Sequence, residues 1–206
     1  MNELKALNIL KNELGFSYNS IRKLKIFHNY LLDYNKRYNL ISNNSEKSIW
    51  IRHILDSAQI IRFIKDSKDL KIADFGSGAG FPGLIIGLYN ENVRFHVKLY
   101  EKSPVKRAFL KNIKKKLDIK GLDIENNVYE KEKILADVIV CRAFKKLEEI
   151  LKISREIVKK PHKLIILKGK NAQSEINRVS LGSNYSYKLA NSMTNEDSKI
   201  ILIDVK

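Results

Sequence analysis

The sequence has a single cysteine and no long apolar run, and each of these features excludes a class of protein. Cys141 is the single cysteine among 206 residues, so an intramolecular disulfide is excluded and the reducing cytosol is the expected compartment. Charged residues interrupt the first apolar positions, which argues against a signal peptide. No segment is apolar enough to span a bilayer, and the four histidines show no metal-binding spacing. We therefore expect a cytoplasmic protein without membrane contact or bound metal.

Acidic residues are also scarce. The chain has 23 Asp and Glu against 39 Lys and Arg, a formal net charge of +16. Such an excess attracts polyanions at long range and releases counterions on contact with phosphates. Nucleic acid is therefore the predicted partner class, although a generally Lys-, Ile- and Asn-rich composition also explains part of the excess.

The first third of the chain has helical periodicity. Residues 3–14 and 20–41 carry apolar side chains at three- and four-residue steps, which predicts two amphipathic helices. The polar break at 42–45 offers an N-cap for a third helix that carries Ile49, Ile54 and Leu55. We predict a helical extension over residues 1–66 that packs on a nucleotide-binding domain over residues 67–206.

From Lys71 onward, short β-rich runs alternate with helical runs. This alternation predicts an α/β fold with a parallel sheet and crossover helices. The predicted strands are 71–75, 95–100, 123–128, 137–141 and 164–168, with a final hairpin of 185–189 and 200–205. The predicted helices are 82–89, 104–117, 146–158 and 172–179.

A glycine-dense turn follows the first predicted strand. Asp74 is followed by Gly76, Gly78, Gly80 and Gly83, and glycines let a backbone approach a bound nucleotide closely. The next strand ends at Glu101, where a carboxylate is placed to accept hydrogen bonds from both ribose hydroxyls.

Two cofactors fit this arrangement. Gly78, Gly80 and Gly83 have the spacing of a dinucleotide-binding loop, which is a weak signal by itself. Asp74 directly before the glycines suits the cationic S-adenosylmethionine better than a pyrophosphate, and Pro82 removes an N–H that a pyrophosphate would use. S-adenosylmethionine is therefore the predicted cofactor.

Several segments resemble one family in order along the chain. The loop from Asp74 to Gly83 resembles the cofactor loop of the ribosomal RNA small subunit methyltransferase G family, also called glucose-inhibited division protein B. The other matching segments are Tyr-Asn-Leu-Ile-Ser at 38–42, Arg-His-Ile-Leu-Asp-Ser at 52–57, Lys-Arg-Ala-Phe-Leu at 106–110, the run 137–144 and Leu-Lys-Gly at 167–169.

The resemblance implies a class I methyltransferase fold, with a seven-stranded mixed sheet, helices on both faces and an antiparallel last strand. It also implies methyl transfer to a guanine N7 of 16S ribosomal RNA near the decoding site. By motif position, it assigns cofactor contacts to Gly76, Phe81, Tyr129, Glu130 and Arg142. One departure is Val128, which stands where family members usually carry arginine.

The reaction implied by the resemblance needs little acid–base chemistry. Guanine N7 is an unprotonated lone pair, so we predict no general base and no covalent intermediate, and positioning should carry the rate. Arg142 and Lys168 follow predicted strands four and five, and we hypothesise that they hold the target nucleotide or an RNA phosphate. The alternative is that both are solvated strand-end charges. Cys141 is interpreted as a buried apolar residue.

RNA contacts are predicted on two helices. Arg52 and His53 are candidates on the third helix, where a His53–Asp56 pair is more typical of a fold-stabilising hydrogen bond than of a catalytic unit. The helix after the second strand is densely basic and contributes four further candidates, Lys106, Arg107, Lys114 and Lys115. A solvated helix face is the alternative for this basic run.

The expected protein is a monomer without an obligate protein partner that acts on 16S ribosomal RNA or on the small ribosomal subunit. Two other functions stay open: a nicotinamide-dependent oxidoreductase, and a non-catalytic RNA-binding protein with a vestigial cofactor fold. Cofactor binding discriminates between them.

Overall fold

The computed structural model describes residues 2–64, 69–89 and 95–206, and it begins with two amphipathic helices. Helix α1 spans Glu3–Asn12 and helix α2 spans Tyr18–Tyr38. The Asn2 and Ser17 side chains cap them by accepting backbone N–H groups at 3.0 Å. Helix α2 ends at Asn39, whose φ of 45° lies in the left-handed region. Both predicted helices are confirmed with shorter carboxyl ends.

The prediction of a single regular third helix is wrong. A short helix α3, Asn43–Glu46, follows Ser42, whose side chain makes no capping hydrogen bond. The later apolar positions lie on a separate helical segment that winds as a π-helix over Trp50–Leu55, as helix α4 over Asp56–Ala58 and as a 3-10 helix over Gln59–Phe63. The π turn changes which side chains face the core, a departure often found at functional sites.

A seven-stranded sheet forms the rest of the molecule, in the order β3-β2-β1-β4-β5-β7-β6. All neighbouring pairs are parallel except those of β7 with β5 and with β6. This confirms the predicted mixed sheet with its antiparallel last strand. The strands are β1 Leu70–Phe75, β2 Phe95–Tyr100, β3 Leu122–Glu125, β4 Val138–Arg142, β5 His162–Lys168, β6 Tyr185–Asn191 and β7 Lys199–Val205. The helices are α5 Gly83–Tyr89, α6 Pro104–Leu117, α7 Leu147–Ile157 and α8 Ala172–Arg178.

The largest error in a strand boundary concerns β3, which was predicted to continue to Val128. The strand ends at Glu125, and Val128–Glu130 forms a 3-10 turn instead. Asn127 starts that turn, because its side chain accepts a hydrogen bond from the backbone N–H of Tyr129.

Apolar side chains cover both faces of the sheet. On one face, Phe27 of α2 lies 5.6 Å from Phe81 and 6.3 Å from Phe109 between ring centroids. One buried cluster therefore contains residues of the extension and of the sheet domain. A second cluster, under α7 and α8, includes Phe75. The predicted domain boundary between residues 66 and 67 lies outside the described residues.

Candidate cofactor and target site

The site lies at the carboxyl edge of the parallel strands, where open α/β sheets bind ligands. The glycine loop follows β1 and is fixed to the end of β2, since the N–H groups of Gly76 and Ser77 donate to the carbonyl of Tyr100 at 2.9 and 3.1 Å. Gly76 has a φ of +73°. A Cβ on it would lie 2.4 Å from the Phe144 ring, so only glycine fits beneath that ring.

Glu101 holds the same loop from the next strand. Its buried carboxylate accepts the N–H of Gly78 and the N–H of Ser103, each at 2.8 Å. Each carboxylate oxygen keeps acceptor capacity beyond these two bonds. The predicted ribose contact of Glu101 stays a prediction, and the structure adds that this side chain also shapes the loop.

Asp74 is fully buried under the loop. Its Oδ2 atom accepts the N–H of Gly83 at 2.9 Å. Its Oδ1 atom has no hydrogen-bond partner among the described residues. Burial raises the pKa of this carboxyl to about 7, against the opposing hydrogen bond from Gly83. An orphaned acceptor directly behind the glycine loop fits a ligand that carries a positive charge and N–H donors, as S-adenosylmethionine does.

Aromatic side chains line the loop where the adenine contact is predicted. Tyr129 is 50% exposed, and its ring centroid lies 6.4 Å from that of Phe144. The Tyr129 hydroxyl donates to Glu149 at 2.8 Å, while Glu130 is exposed beside it. Val128 is buried in the apolar core, so a family-type arginine at this position would have to leave the core.

Arg142, at the end of β4, is the centre of a network that joins the sheet to the helical extension. Its Nη1 atom donates to the carbonyl of Arg52 at 2.7 Å and lies 3.4 Å from Asp56 Oδ2. Its Nη2 atom lies 2.6 Å from His53 Nδ1. The guanidinium carbon lies 5.0 Å from the centroid of the Phe81 ring. The hypothesis that Arg142 holds the target stays a prediction, but its guanidinium already has protein partners.

His53 is held as a neutral acceptor in this network. Burial, then the charges of Arg142 and Arg52, lower its pKa to about 3. A neutral Nδ1 accepts from Arg142, which leaves the proton on Nε2. No direct His53–Asp56 hydrogen bond is found between these two described residues. The predicted pair is therefore corrected: each side chain contacts Arg142, which lies between them.

The hairpin β6–β7 completes the site, and no sequence pattern indicated this. Asp56 Oδ1 accepts the hydroxyl of Thr194 and the amide of Gln59, both at 2.9 Å. Gln59 Oε1 accepts the N–H of Met193 at 2.7 Å. Since about 130 residues separate Met193 and Thr194 from Gln59 and Asp56 in sequence, no local spacing predicts that the hairpin contacts the extension.

A cavity of about 460 Å³ opens among these elements at the carboxyl edge. The extension, β4, β5 and the hairpin all line it, and its walls include the neutral His53 and the charged Arg52, Asp56, Arg142 and Lys168. Its mixed polar character and its size are those of small-ligand sites, and a single nucleotide fits within them.

Lys168 and two of the α6 candidates already have protein partners. Lys168 Nζ lies 2.6 Å from the carbonyl of Lys145 and pairs with Glu175 at 2.8 Å. Arg107 donates to the carbonyls of Glu101 and Lys102. Lys114 pairs with Asp123 at 3.3 Å. Lys106 is partly exposed in the first turn of α6, and Lys115 is exposed near its end. None of these contacts excludes RNA, but Lys168, Arg107 and Lys114 also stabilise the fold.

Three other predictions concern Cys141, metal binding and membrane contact. Cys141 is buried, and burial raises the pKa of its thiol well above the usual range, which agrees with an unreactive packing role. Among the described ranges, no group of three or more potential ligands is arranged to hold a metal ion. In the same part of the chain, no helix combines the length and apolarity needed to cross a membrane.

The strand order, the glycine loop and the acid at the end of β2 together define a class I methyltransferase fold. A structure of M. jannaschii TYW2 in complex with AdoMet matches with a TM-score of 0.53 at 14% identity, over 73% of this chain and 74% of that chain. A mutant of MtNAS in complex with S-adenosylmethionine matches with a TM-score of 0.59 at 12% identity, over 100% of this chain and 84% of that one. At these identities the likeness concerns the fold alone.

Sequence comparison identifies the particular family. The family model described as rRNA small subunit methyltransferase G matches residues 20–199. A protein of that name from Orientia tsutsugamushi (strain Ikeda) is 35% identical over 93% of this chain and 96% of its own length. One from Pelagibacter ubique (strain HTCC1062) is 33% identical over 95% and 92%. The chain belongs to the rRNA small subunit methyltransferase G family.

Proposed function

We propose that this chain transfers a methyl group from S-adenosylmethionine to the N7 atom of a guanine in 16S ribosomal RNA. The observation that carries the proposal is the nucleotide-sized cavity at the carboxyl edge of the sheet. Arg142 and His53 line this cavity, and both also pack against the ring of Phe81 in the glycine loop, so the cavity adjoins that loop. Family membership supports methylation of ribosomal RNA, and the cavity supports a single base as the acceptor.

The cofactor would be held by the loop and by the strand ends around it. Asp74 offers an unpartnered carboxylate oxygen, and Glu101 offers acceptors at the end of β2. Gly78 allows close approach of the backbone, while Tyr129 and Glu130 would border the adenine end. When bound, S-adenosylmethionine supplies an electrophilic methyl group on a cationic sulfur.

The side chains around the cavity suit attack by a neutral lone pair. Guanine N7 carries no proton, so no residue has to act as a base. The base becomes cationic as the methyl group arrives, and fixed negative charge or neutral dipoles then stabilise it. His53 is uncharged, and Asp56 balances the charge of Arg142. The residues therefore act by binding and orienting the base and by excluding water.

The two other candidate functions find less support in the site. A dinucleotide pyrophosphate would place negative charge next to the buried Asp74 carboxyl, which electrostatics disfavours. A non-catalytic RNA-binding protein would not need a loop that Glu101 holds through Gly78 and that packs so closely under Phe144 that only glycine fits at position 76.

The proposal is tested by methyl transfer from labelled S-adenosylmethionine to small ribosomal subunits and, separately, to naked 16S RNA, with the modified base mapped afterwards. We expect label at one guanine N7 and much slower labelling when Arg142 is replaced by alanine. Cofactor binding without transfer to either substrate would refute the proposed acceptor, and absence of cofactor binding would refute the methyltransferase assignment itself.

A further inference from the structure

Among the described residues, no long helix covers one face of strands β1, β2 and β3. The connection from β3 to β4 is fully described, and its one helical element is the three-residue turn Val128–Glu130. This connection crosses the face as an extended segment over residues 131–137. A groove of about 460 Å³ remains between it and the strands.

Lysines from several separate elements line this groove. Lys71 belongs to β1, Lys98 to β2, and Lys131 and Lys133 to the connection. The sheet register pairs Lys71 with His96 and Ala73 with Lys98, so these side chains lie on the same face of adjacent strands. We call the site formed by Lys71, Lys98, Lys131 and Lys133 the lysine groove.

The groove has more positive charge than its own carboxylates can balance. Glu125 pairs with Lys131 at 2.8 Å, and Asp123 on the neighbouring edge pairs with His96 and Lys114. Lys98 and Lys133 have no carboxylate partner within the part of the chain that the structure describes. Two unpaired lysines in one concave surface attract a multivalent anion.

The positive surface continues around the edge strand. On the other face of β3, a second groove is lined by Lys111, Lys114, Lys115 and Lys120 together with Asp118 and Asp123, which pair with Lys120 and Lys114, so Lys111 and Lys115 supply its positive charge. The two grooves meet at Glu125 of β3, which lines both. A ligand that follows both grooves must be long and negatively charged along its length, as a phosphodiester backbone is.

This surface is separate from the target cavity. Lys71 stands near the amino end of β1, roughly 13 Å along the strand from Phe75 at the catalytic edge. No residue lines both the lysine groove and the cavity around Arg142. Contacts here would therefore strengthen RNA binding without touching the reacting base.

We propose that the lysine groove binds the phosphodiester backbone of an RNA segment away from the methylated guanine. The inference rests on the proposed function, because it assumes that the substrate is an RNA longer than one nucleotide. The groove contributes to affinity for the substrate, whereas the cavity at the carboxyl edge determines the rate of transfer. An acidic protein is the competing occupant, since carboxylates would meet the same lysines.

The test compares a double variant, Lys98→Glu with Lys133→Glu, with a control of equal charge change. The control is Lys11→Glu with Lys188→Glu, two exposed lysines on α1 and β6. Binding of naked 16S RNA is measured as a function of salt, and KM and kcat are measured with small ribosomal subunits. Thermal unfolding and S-adenosylmethionine affinity check the integrity of the fold.

We expect the groove variant to raise KM and the RNA Kd by about tenfold and to lower the salt slope by about one per lysine. Its kcat and cofactor affinity should stay unchanged, and the control should change much less. If charge reversal lowers the unfolding temperature, Lys98→Gln with Lys133→Gln provides the same test without repulsion from Glu125. Restoration of affinity by Lys98→Arg with Lys133→Arg would confirm that charge is responsible.

The two proposals fail in different ways. Equal RNA affinity and salt slope in the groove variant and the control would overturn the lysine groove, even if methylation of guanine is confirmed. Groove-dependent RNA binding without any methyl transfer would support the groove and refute the proposed reaction. Competition by polyglutamate but not by RNA at the groove would identify an acidic protein and overturn the inference.

Discussion

The Nη2 atom of Arg142 lies 2.6 Å from Nδ1 of His53, and this contact joins the end of the fourth strand to the helical extension. The two residues are 89 positions apart in sequence. Because the histidine is neutral, it accepts from the guanidinium instead of repelling it. The charge of Arg142 is balanced by Asp56, so the wall of the target cavity depends on three side chains that must be placed together.

Replacement of Arg142 by alanine should abolish most of the activity. It removes the donors to His53 and to the Arg52 carbonyl, and it leaves Asp56 without its cationic partner. We expect kcat to fall by about a hundredfold and the free energy of unfolding to fall by about 3 kcal/mol.

The Arg142→Lys variant should recover stability only in part, because one ammonium group cannot reach the three acceptors that the planar guanidinium contacts. Arg37→Ala is the matched control, since Arg37 is exposed at the end of α2 and does not line the cavity. A kcat for Arg142→Ala equal to that of the control would contradict the assigned role.

His53 should stay neutral far below the ordinary titration range of histidine. Its folded pKa is lowered from 6.5 to about 3, so the stability it contributes is fully present above pH 6.5 and is lost as the pH falls toward 3. Nitrogen NMR of the labelled imidazole should show an unprotonated Nδ1 and a protonated Nε2 at pH 5. A ring that titrates near pH 6.5 would show that the contact with Arg142 is absent in solution.

Asp74 should make the free energy of unfolding depend on pH in the direction opposite to that of His53. Its folded pKa is raised from 3.8 to about 7, so its stabilising contribution is fully present below pH 3.8 and is lost as the pH rises through 7. In Asp74→Asn, which keeps an acceptor for the Gly83 N–H, this loss should disappear.

The measurement is the free energy of unfolding from denaturant titrations between pH 4 and 8. The wild-type value should decline relative to the variant by at most about 1.4 kcal/mol per pH unit. Curves that stay parallel over this range would mean that Asp74 titrates normally.

Gly76→Ala should damage the cofactor loop more than Gly78→Ala. Both glycines have positive φ, but a Cβ at Gly76 meets Phe144 at 2.4 Å, whereas the nearest atom at Gly78 lies 3.9 Å away. The Gly78 variant should show backbone strain alone, about 1 kcal/mol. The Gly76 variant should lose more stability and bind S-adenosylmethionine more weakly, as measured by calorimetry.

The double variant Gly76→Ala with Phe144→Ala separates the steric effect from the backbone strain. Removal of the ring should restore part of the loss, so the two changes should be strongly non-additive. Simple additivity would show that Phe144 does not lie over Gly76 in solution.

The elements that the sequence predicts well are those with local signals. Helix α6 is capped by Ser103 and has proline in its first turn, and its predicted bounds agree with the structure. The glycine loop and Glu101 are close in space because parallel strands end at one edge, which a strand pattern is enough to predict.

The features that the sequence does not predict depend on distant contacts. The π turn at Trp50–Leu55 has no local signature, because it is stabilised by packing of both flanks in one core. The carbonyl of Lys145, 23 residues before Lys168, approaches the ammonium group of Lys168 only after folding.

The hydrogen bonds from Met193 and Thr194 to Gln59 and Asp56 have a consequence for synthesis of the chain. The cofactor loop leaves the ribosome well before the hairpin that completes the cavity. Until residues 192–194 have emerged, one wall of the target site does not exist. A growing chain therefore has its cofactor loop before it has a complete wall around the target cavity, so the two parts of the site are made one after the other.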